Sequence, residues 1–85
     1  MLCHGTSPDV VDEILRSGLK PMGRQYVHLS PDRATATSVG GRKHATPVIL
    51  LVDAKAADAA GIAFYRGNDH VWLADAVPPA FIAVG

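Results

Sequence analysis

The chain has 85 residues, 48% of them hydrophobic, and a formal net charge of zero at neutral pH. Its length corresponds to one domain with a thin core, and its composition is that of a globular chain and not a disordered one. The neutral balance lacks the excess positive charge that an autonomous nucleic-acid-binding protein carries.

The cysteine and histidine content argues against disulfides and metals. Cys3 is the only cysteine, and the four histidines show no ligand-pair spacing, so we expect neither an internal disulfide nor a metal site. The longest apolar run, Val48–Val52, is too short to span a bilayer, and no leader-like pattern starts the sequence. We therefore expect a cytoplasmic protein without membrane contact.

The first third of the chain predicts a strand, a helix and a second strand. Residues 2–4 form the first strand. Ser7 is a good N-cap, Pro8 suits the first helical position and Gly18 ends the helix. Apolar residues recur between them at helical spacing: Val10, Val11, Ile14 and Leu15. Residues 26–29 form the second strand.

The same cap-plus-proline signal predicts a second helix. Ser30 and Pro31 open it, it runs to about Val39, and Gly40 and Gly41 stop it. Residues 47–53 then form a continuous aliphatic strand that is buried on both faces.

The last third of the chain predicts short strands. Residues 54–61 fit either a helical turn or a loop. Two strands at 62–66 and 70–73 are joined by a tight turn at Gly67-Asn68, and a proline-led turn with a final strand occupies 77–84. The chain is thus predicted to be one α+β domain over residues 1–85, with five or six short strands and two helices.

Two histidines stand at strand ends directly before the predicted helices. His4 and His28 lie beside helix N-termini, which favour anions, and a neutral imidazole can both donate to and accept from ribose hydroxyls. Gly5 leaves the backbone open to a planar amide, and Thr6 and Ser30 add hydroxyl groups. This pattern indicates a nucleotide site. The alternative is that the histidines are structural and that Ser-Pro-Asp is ordinary helix-start chemistry.

Two arginines are candidates for phosphate contacts. Arg42 follows a double glycine and can clamp a phosphate bidentately, and Arg24 precedes the His28 strand. The alternative is that both are solvated loop arginines. Glu13 is the only glutamate and is placed on the exposed face of the first helix, so no pair of carboxylates is set for acid–base work. Phe64 and Trp72 are interpreted as core residues.

Four segments together resemble the NAD-dependent RNA 2′-phosphotransferase family. They are His4-Gly5-Thr6, Val27-His28-Leu29-Ser30, Val39-Gly40-Gly41-Arg42 and Val71-Trp72-Leu73. Each motif is weak alone, but they occur in the order and at spacings compatible with the family, and they span nearly the whole chain.

The resemblance implies an ADP-ribosyltransferase-like fold, with two small packed β-sheets, two short helices and NAD in a cleft between the sheets. It also implies that His4 contacts the ribose on the adenosine side, that Gly5 offers its backbone to the nicotinamide amide and that His28 flanks the nicotinamide ribose. Val71 stands where protein-modifying relatives often have a catalytic glutamate. The cofactor-binding residues implied are His4, Gly5, Thr6, Arg24, His28, Leu29, Ser30 and Val71.

The reaction that the resemblance implies belongs to tRNA splicing and uses 2′-phosphorylated RNA and NAD, without a metal. The RNA 2′-phosphate attacks the anomeric carbon of the nicotinamide ribose and expels nicotinamide. The ribose 2″-hydroxyl then attacks phosphorus and releases ADP-ribose 1″,2″-cyclic phosphate. Arg42 matches the family's catalytic arginine in this lobe. The family also has an N-terminal winged-helix lobe with an Arg-His pair and another arginine, which we expect this chain to lack.

Two other functions stay open at this point. One is a stand-alone ADP-ribosyltransferase that modifies a nucleic-acid end or a protein. The other is a non-catalytic module that binds NAD or ADP-ribose.

Overall fold

The computed structural model describes residues 1–21, 25–41, 46–68 and 70–85, with the side chains of 39–41 left aside. In these ranges the chain forms strands β1 to β6, helices α1 to α3 and two short 3₁₀ helices. In chain order these are β1 (Leu2–Thr6), a 3₁₀ helix (Pro8–Val10), α1 (Val11–Ser17), β2 (Val27–Leu29), α2 (Arg33–Gly41), β3 (Val48–Val52), α3 (Ala54–Ala59), β4 (Phe64–Asn68), β5 (Val71–Ala74), a second 3₁₀ helix (Pro79–Phe81) and β6 (Ile82–Val84).

The strands form two small antiparallel sheets, as the α+β prediction requires. The first has the order β1-β3-β6 and the second the order β2-β5-β4. A bridge between Cys3 and Ser30 joins the edge of the first sheet to the end of β2, through two backbone hydrogen bonds of 2.8 and 2.7 Å. This bridge sets β1 and β2 side by side, which decides where the candidate site lies.

The main hydrophobic core draws its side chains from both sheets. Leu50 and Val52 of β3 are fully buried in it, and Leu29 of β2 is 1% exposed. The opposite face of the first sheet packs against α2, where Cys3 and Ile49 surround the buried Ala36. The remaining buried members of the main core are Leu2, Leu19, Val27, Ala74, Val77 and Ile82.

The first helical segment begins and ends where the sequence predicts. The Ser7 hydroxyl accepts a hydrogen bond from the Asp9 amide, and Pro8 holds the first helical position. Gly18 ends α1 with a φ of 85°, a conformation open to glycine. On the side of α1 that faces the protein, Val11 and Ile14 pack against the main core.

The start of α2 differs from the prediction. Ser30 is not its N-cap, because the Ser30 backbone N–H and carbonyl both bond to Cys3 and hold this residue in a strand-like pairing. The Asp32 carboxylate accepts a 2.7 Å hydrogen bond from the Thr35 amide and so caps the helix two residues later. Gly40 and Gly41 also do not stop α2, which extends through Gly41.

One open alternative is decided by the structure, and one further prediction needs correction. The ambiguous segment after β3 contains a helix, α3, which Asp53 caps by accepting a 3.1 Å bond from the Ala56 amide. The tight turn does not lie at Gly67-Asn68, because β4 continues through both residues with an irregular register after Arg66. Side chains at Phe64 and Trp72 pack against the core, as predicted. None of the described helices has the length and apolar content needed to cross a lipid bilayer.

Candidate functional site

A cavity of about 240 Å³ opens between β1, α1 and the start of β2. Its apolar wall is formed by Val10, Ile14, Leu19 and Val27. Its polar lining consists of His4, Thr6, Glu13, Ser17, Lys20, Tyr26 and His28. An apolar surface with a few convergent polar groups is typical of a small-molecule site, although this volume lies just below the roughly 300 Å³ at which such sites usually start.

His4 reaches this cavity from β1, where it pairs with Leu50. Its Nδ1 lies 2.9 Å from the backbone carbonyl oxygen of His28. Because a carbonyl only accepts, Nδ1 carries the hydrogen and donates, which makes Nε2 the acceptor nitrogen of the neutral ring. The hydrogen bond fixes the imidazole against β2 and ties the two predicted site strands together through side chain and backbone.

The His28 ring is held by a similar hydrogen bond, to the backbone carbonyl of a residue close to it in the chain. Its Nδ1 lies 3.1 Å from the Tyr26 carbonyl oxygen, two residues earlier in the chain. Nδ1 therefore donates here too, and Nε2 of this exposed ring is an acceptor. Two imidazoles thus line one cavity, and each is held through Nδ1 by a backbone carbonyl oxygen.

Thr6 and Gly5 complete the β1 side of the site. Thr6 is 8% exposed and lines the cavity, opposite Val48 of β3. Gly5 lies between His4 and Thr6 and is buried, in register with Ile49. The structure therefore places His4 and Thr6 of β1 at the cavity, with Gly5 between them on the strand, and His28 at the cavity from β2.

Three other predicted cofactor-binding residues, Leu29, Ser30 and Val71, do not line the cavity. The Leu29 side chain is in the core, so it is not available to a ligand. Ser30 is 7% exposed and its backbone is engaged by Cys3. Val71 lies on β5 and is half-buried. Arg24 and the predicted catalytic residue Arg42 lie outside the described residues.

Four polar cavity residues were missed by the sequence prediction: Glu13, Ser17, Lys20 and Tyr26. Glu13 is exposed and also lines the cavity, together with Val10, three residues earlier at the end of the first 3₁₀ helix, and Ile14, the next residue on α1. The helical spacing of Val10, Glu13 and Ile14 could have revealed this. Tyr26 could have been found from its place two residues before His28, which puts both side chains on the same side of an extended segment.

The two helix starts do not present open anion sites. Asp9 lies in the first turn after Ser7, and Ser7 Oγ is 3.4 Å from its carboxylate. At α2 the Asp32 carboxylate already accepts from the Thr35 amide, a contact that holds the pKa of Asp32 below its usual value. Asp32 satisfies one N–H group at the start of α2, and Asp9 places a negative charge beside the first helical segment, so both helix starts are less favourable for a second anion.

A second aromatic group adjoins the cavity. The rings of Tyr26 and Tyr65 lie 5.6 Å apart at an angle of 55°, and the Tyr65 hydroxyl donates to Asp75 over 3.3 Å. The negative charge of Asp75 raises the pKa of Tyr65 above its ordinary value.

A larger cavity of about 370 Å³ lies elsewhere, beside the start of β1 and helix α3. Phe64 and Trp72 line it together with Lys55 and Asp58, and it includes no predicted site residue. Within the described ranges, no cluster of three or more histidine, cysteine or acidic side chains is arranged to hold a metal ion.

Comparison with known proteins connects this geometry to one family. The model of the "RNA 2′-phosphotransferase, Tpt1 / KptA family" matches residues 1–76. A relative from Acetivibrio thermocellus, named probable RNA 2′-phosphotransferase, is 54% identical over 82 residues, which are 96% of this chain and 45% of the relative.

Two further relatives carry the same name. The one from Bacillus thuringiensis subsp. konkukian is 53% identical over 83 residues, covering 98% of this chain and 45% of its own length. The one from Streptomyces griseus subsp. griseus is 54% identical over 81 residues, covering 95% and 42%. The chain therefore spans somewhat less than half the length of these relatives.

Proposed function

Because the chain belongs to the RNA 2′-phosphotransferase, Tpt1 / KptA family, we propose that it forms the NAD-binding part of an enzyme that transfers an RNA 2′-phosphate to NAD. The family match supports the phosphotransfer and the RNA substrate. The observation that carries NAD binding is the cavity in which His4, Thr6 and His28 meet.

The cavity is large enough for only part of NAD, but its polar groups suit the hydroxyl groups of a ribose. About 240 Å³ suits one half of a dinucleotide, so the other half would extend along the neighbouring surface. Hydroxyl-rich riboses need both donors and acceptors, which the assigned imidazole tautomers, Thr6 and Glu13 provide. The two three-stranded sheets support an ADP-ribosyltransferase-like fold with a nucleotide cleft beside β1 and β2.

In this proposal NAD supplies the ribose carbon that the RNA phosphate attacks as nicotinamide departs. His4 and His28 contact ribose hydroxyls, each ring held in place by its Nδ1 hydrogen bond to a carbonyl. Gly5 and Thr6 orient the bound dinucleotide from β1. The site is supported by Leu29 on β2, by Ser30 directly after β2 and by Val71 on β5.

Phosphate handling is assigned to arginine. Arg42 stabilises the charge that develops on the transferring phosphate, and Arg24 contacts the dinucleotide phosphates, because a guanidinium binds such groups bidentately. Both assignments rest on the family resemblance. The cytoplasmic location stays a prediction from composition.

The direct test is an assay with a single-stranded oligonucleotide that carries one internal 2′-phosphate. NAD and the oligonucleotide are incubated with this chain, alone and joined to the part of the Acetivibrio relative that it does not match. We expect nicotinamide and ADP-ribose 1″,2″-cyclic phosphate from the joined protein and much less from the chain alone. Absence of both products from a folded, joined protein would contradict the phosphotransfer.

The same incubation separates the alternatives. A stand-alone ADP-ribosyltransferase would leave ADP-ribose covalently attached to its acceptor, which mass spectrometry detects as an intact adduct. A non-catalytic module would bind NAD and release no nicotinamide in any combination.

A further inference from the structure

The second sheet has an outer face that the cavity does not account for. In an antiparallel sheet, register partners share a face and neighbouring rows alternate between faces. His28, Leu73 and Tyr65 are partners across β2, β5 and β4, so they form one row. The rows on either side, Val27-Ala74-Phe64 and Leu29-Trp72-Arg66, turn their side chains to the opposite face, where most of them pack in or against the core.

This outer row is accessible. His28 and Tyr65 are exposed, Tyr65 by 43%, and Leu73 is half-buried. Across the described parts of the chain, the main helix contacts are those of α2 with β1 and β3 and those of α1 and α3 with the 3₁₀ helices. No described helix packs extensively on this sheet, so its outer face is open to a ligand.

Tyr26 links the outer row to the cavity. It precedes His28 by two residues on the same side of the chain, its ring contacts Tyr65, and it lines the cavity. The hydrogen bond from Tyr65 to Asp75 holds the second ring in place. Two oriented aromatic rings therefore continue the cavity wall across the sheet.

We propose that Tyr26, His28, Tyr65 and Leu73, the tyrosine platform, bind a base of the RNA substrate by stacking, next to the bound NAD. Unpaired RNA bases stack on aromatic side chains of exposed sheets, largely without regard to sequence. The inference rests on the proposed function, because RNA is the proposed substrate.

The charges of the platform favour a base over a phosphate. The acidic group beside the rings is Asp75, which already accepts the Tyr65 hydroxyl and would repel a phosphate. A neutral base meets no such repulsion. The platform continues the wall of the NAD cavity. The nucleotide that carries this base therefore lies beside Tyr26 and His28, which belong to both the cavity and the platform.

The test measures binding of a fluorescent single-stranded oligonucleotide with an internal 2′-phosphate, by anisotropy, to this chain and its variants. Loss of one stacked base weakens binding by about 5- to 100-fold, so Tyr65→Ala should raise the Kd for RNA by that factor. Tyr65→Phe keeps the ring and should bind within about twofold of the wild type. Val84→Ala, an exposed change on the other sheet, is the matched control.

The Kd for NAD, measured on the same proteins, separates this proposal from the proposed function. Unchanged NAD affinity with weakened RNA binding by Tyr65→Ala supports the platform. Equal RNA affinity of wild type and Tyr65→Ala overturns it, as does a wild-type chain that binds no RNA. Self-association that Tyr65→Ala abolishes would assign this face to a second copy and overturn it too. If RNA binding depends on Tyr65 but the chain binds no NAD, the result contradicts the proposed function and leaves the platform supported.

Discussion

Gly18 shows how one residue fixes the wall of the candidate site. It ends α1, lines the cavity and adopts a φ of 85°. A β-carbon at this position would collide with the backbone carbonyl oxygen of Val77. Leu19, the next residue, exchanges two backbone hydrogen bonds with Val77, so this collision cannot be relieved by moving one side chain.

We therefore predict that Gly18→Ala destabilises the protein more than Gly61→Ala. Gly61 has a similar φ of 98° but nothing within 4 Å of an added β-carbon. The strain of the left-handed region alone costs about 1–2 kcal/mol, which is the expected loss at Gly61. The loss at Gly18 should exceed it, because the collision adds to the strain. Urea unfolding of both variants measures the difference, and equal losses would show that the contact with Val77 has no effect.

Site residues differ in how well sequence reasoning could place them. His4, Thr6 and His28 meet at one cavity, as the two histidine motifs indicate. Glu13 is exposed, as predicted, and it also lines the cavity, which its helical spacing with Val10 and Ile14 indicates. Leu29 belongs to the predicted His28 motif. Side chains alternate between the two faces of β2, however, and the Leu29 side chain lies in the core.

At the scale of secondary structure, the N-cap of α2 is the most informative element. Local sequence favours Ser30 as a cap, yet its backbone pairs with Cys3, which is 27 positions away in the numbering. A pairing between distant segments cannot be read from local cap chemistry. Asp32, two residues on, then takes the cap with a good acceptor.

This cap makes a pH-dependent contribution to stability. Because the pKa of Asp32 is lowered in the folded protein, the stabilisation is present at neutral pH and is lost as the pH falls below about 4, towards the folded-state pKa. We predict that Asp32→Asn keeps the cap but loses this pH dependence, whereas Asp32→Ala loses both. Urea midpoints between pH 6 and pH 3 test this. If wild type and Asp32→Asn lose stability in parallel over that range, another group is responsible.

Strands were predicted better than turns. Each strand that the structure describes overlaps a predicted segment, although β1 and β4 extend beyond theirs, because short apolar runs between glycine and proline are strong local signals. The predicted position of the turn between β4 and β5 was wrong, because the irregular register after Arg66 keeps Asn68 paired with Val71. Such irregularities depend on the partner strand and leave little trace in the sequence.

For the molecule as a whole, the core between the sheets carries most of the stability. Leu50 is fully buried there and pairs with His4 on one side and Val84 on the other. A domain of this size is stable by only about 4–13 kcal/mol, so the loss of one large core side chain is a considerable fraction.

We predict that Leu50→Ala destabilises the protein by about 2–5 kcal/mol. Val84→Ala, in register with it but 56% exposed, should change stability by no more than about 0.5 kcal/mol. Thermal or urea unfolding of the two variants provides the comparison. A cost for Val84→Ala as large as that for Leu50→Ala would mean that the core is not where the structure places it.

The proposed function depends on NAD binding in the cavity between β1, α1 and β2. The most direct measurement is a titration of the ¹⁵N-labelled chain with NAD, followed by two-dimensional NMR, with the His4→Ala variant beside the wild type. The account predicts saturable shifts at the amides of His4, Thr6 and His28 and markedly weaker binding by the variant. Absence of shifts at these residues, or shifts confined to the cavity lined by Phe64 and Trp72, would contradict it.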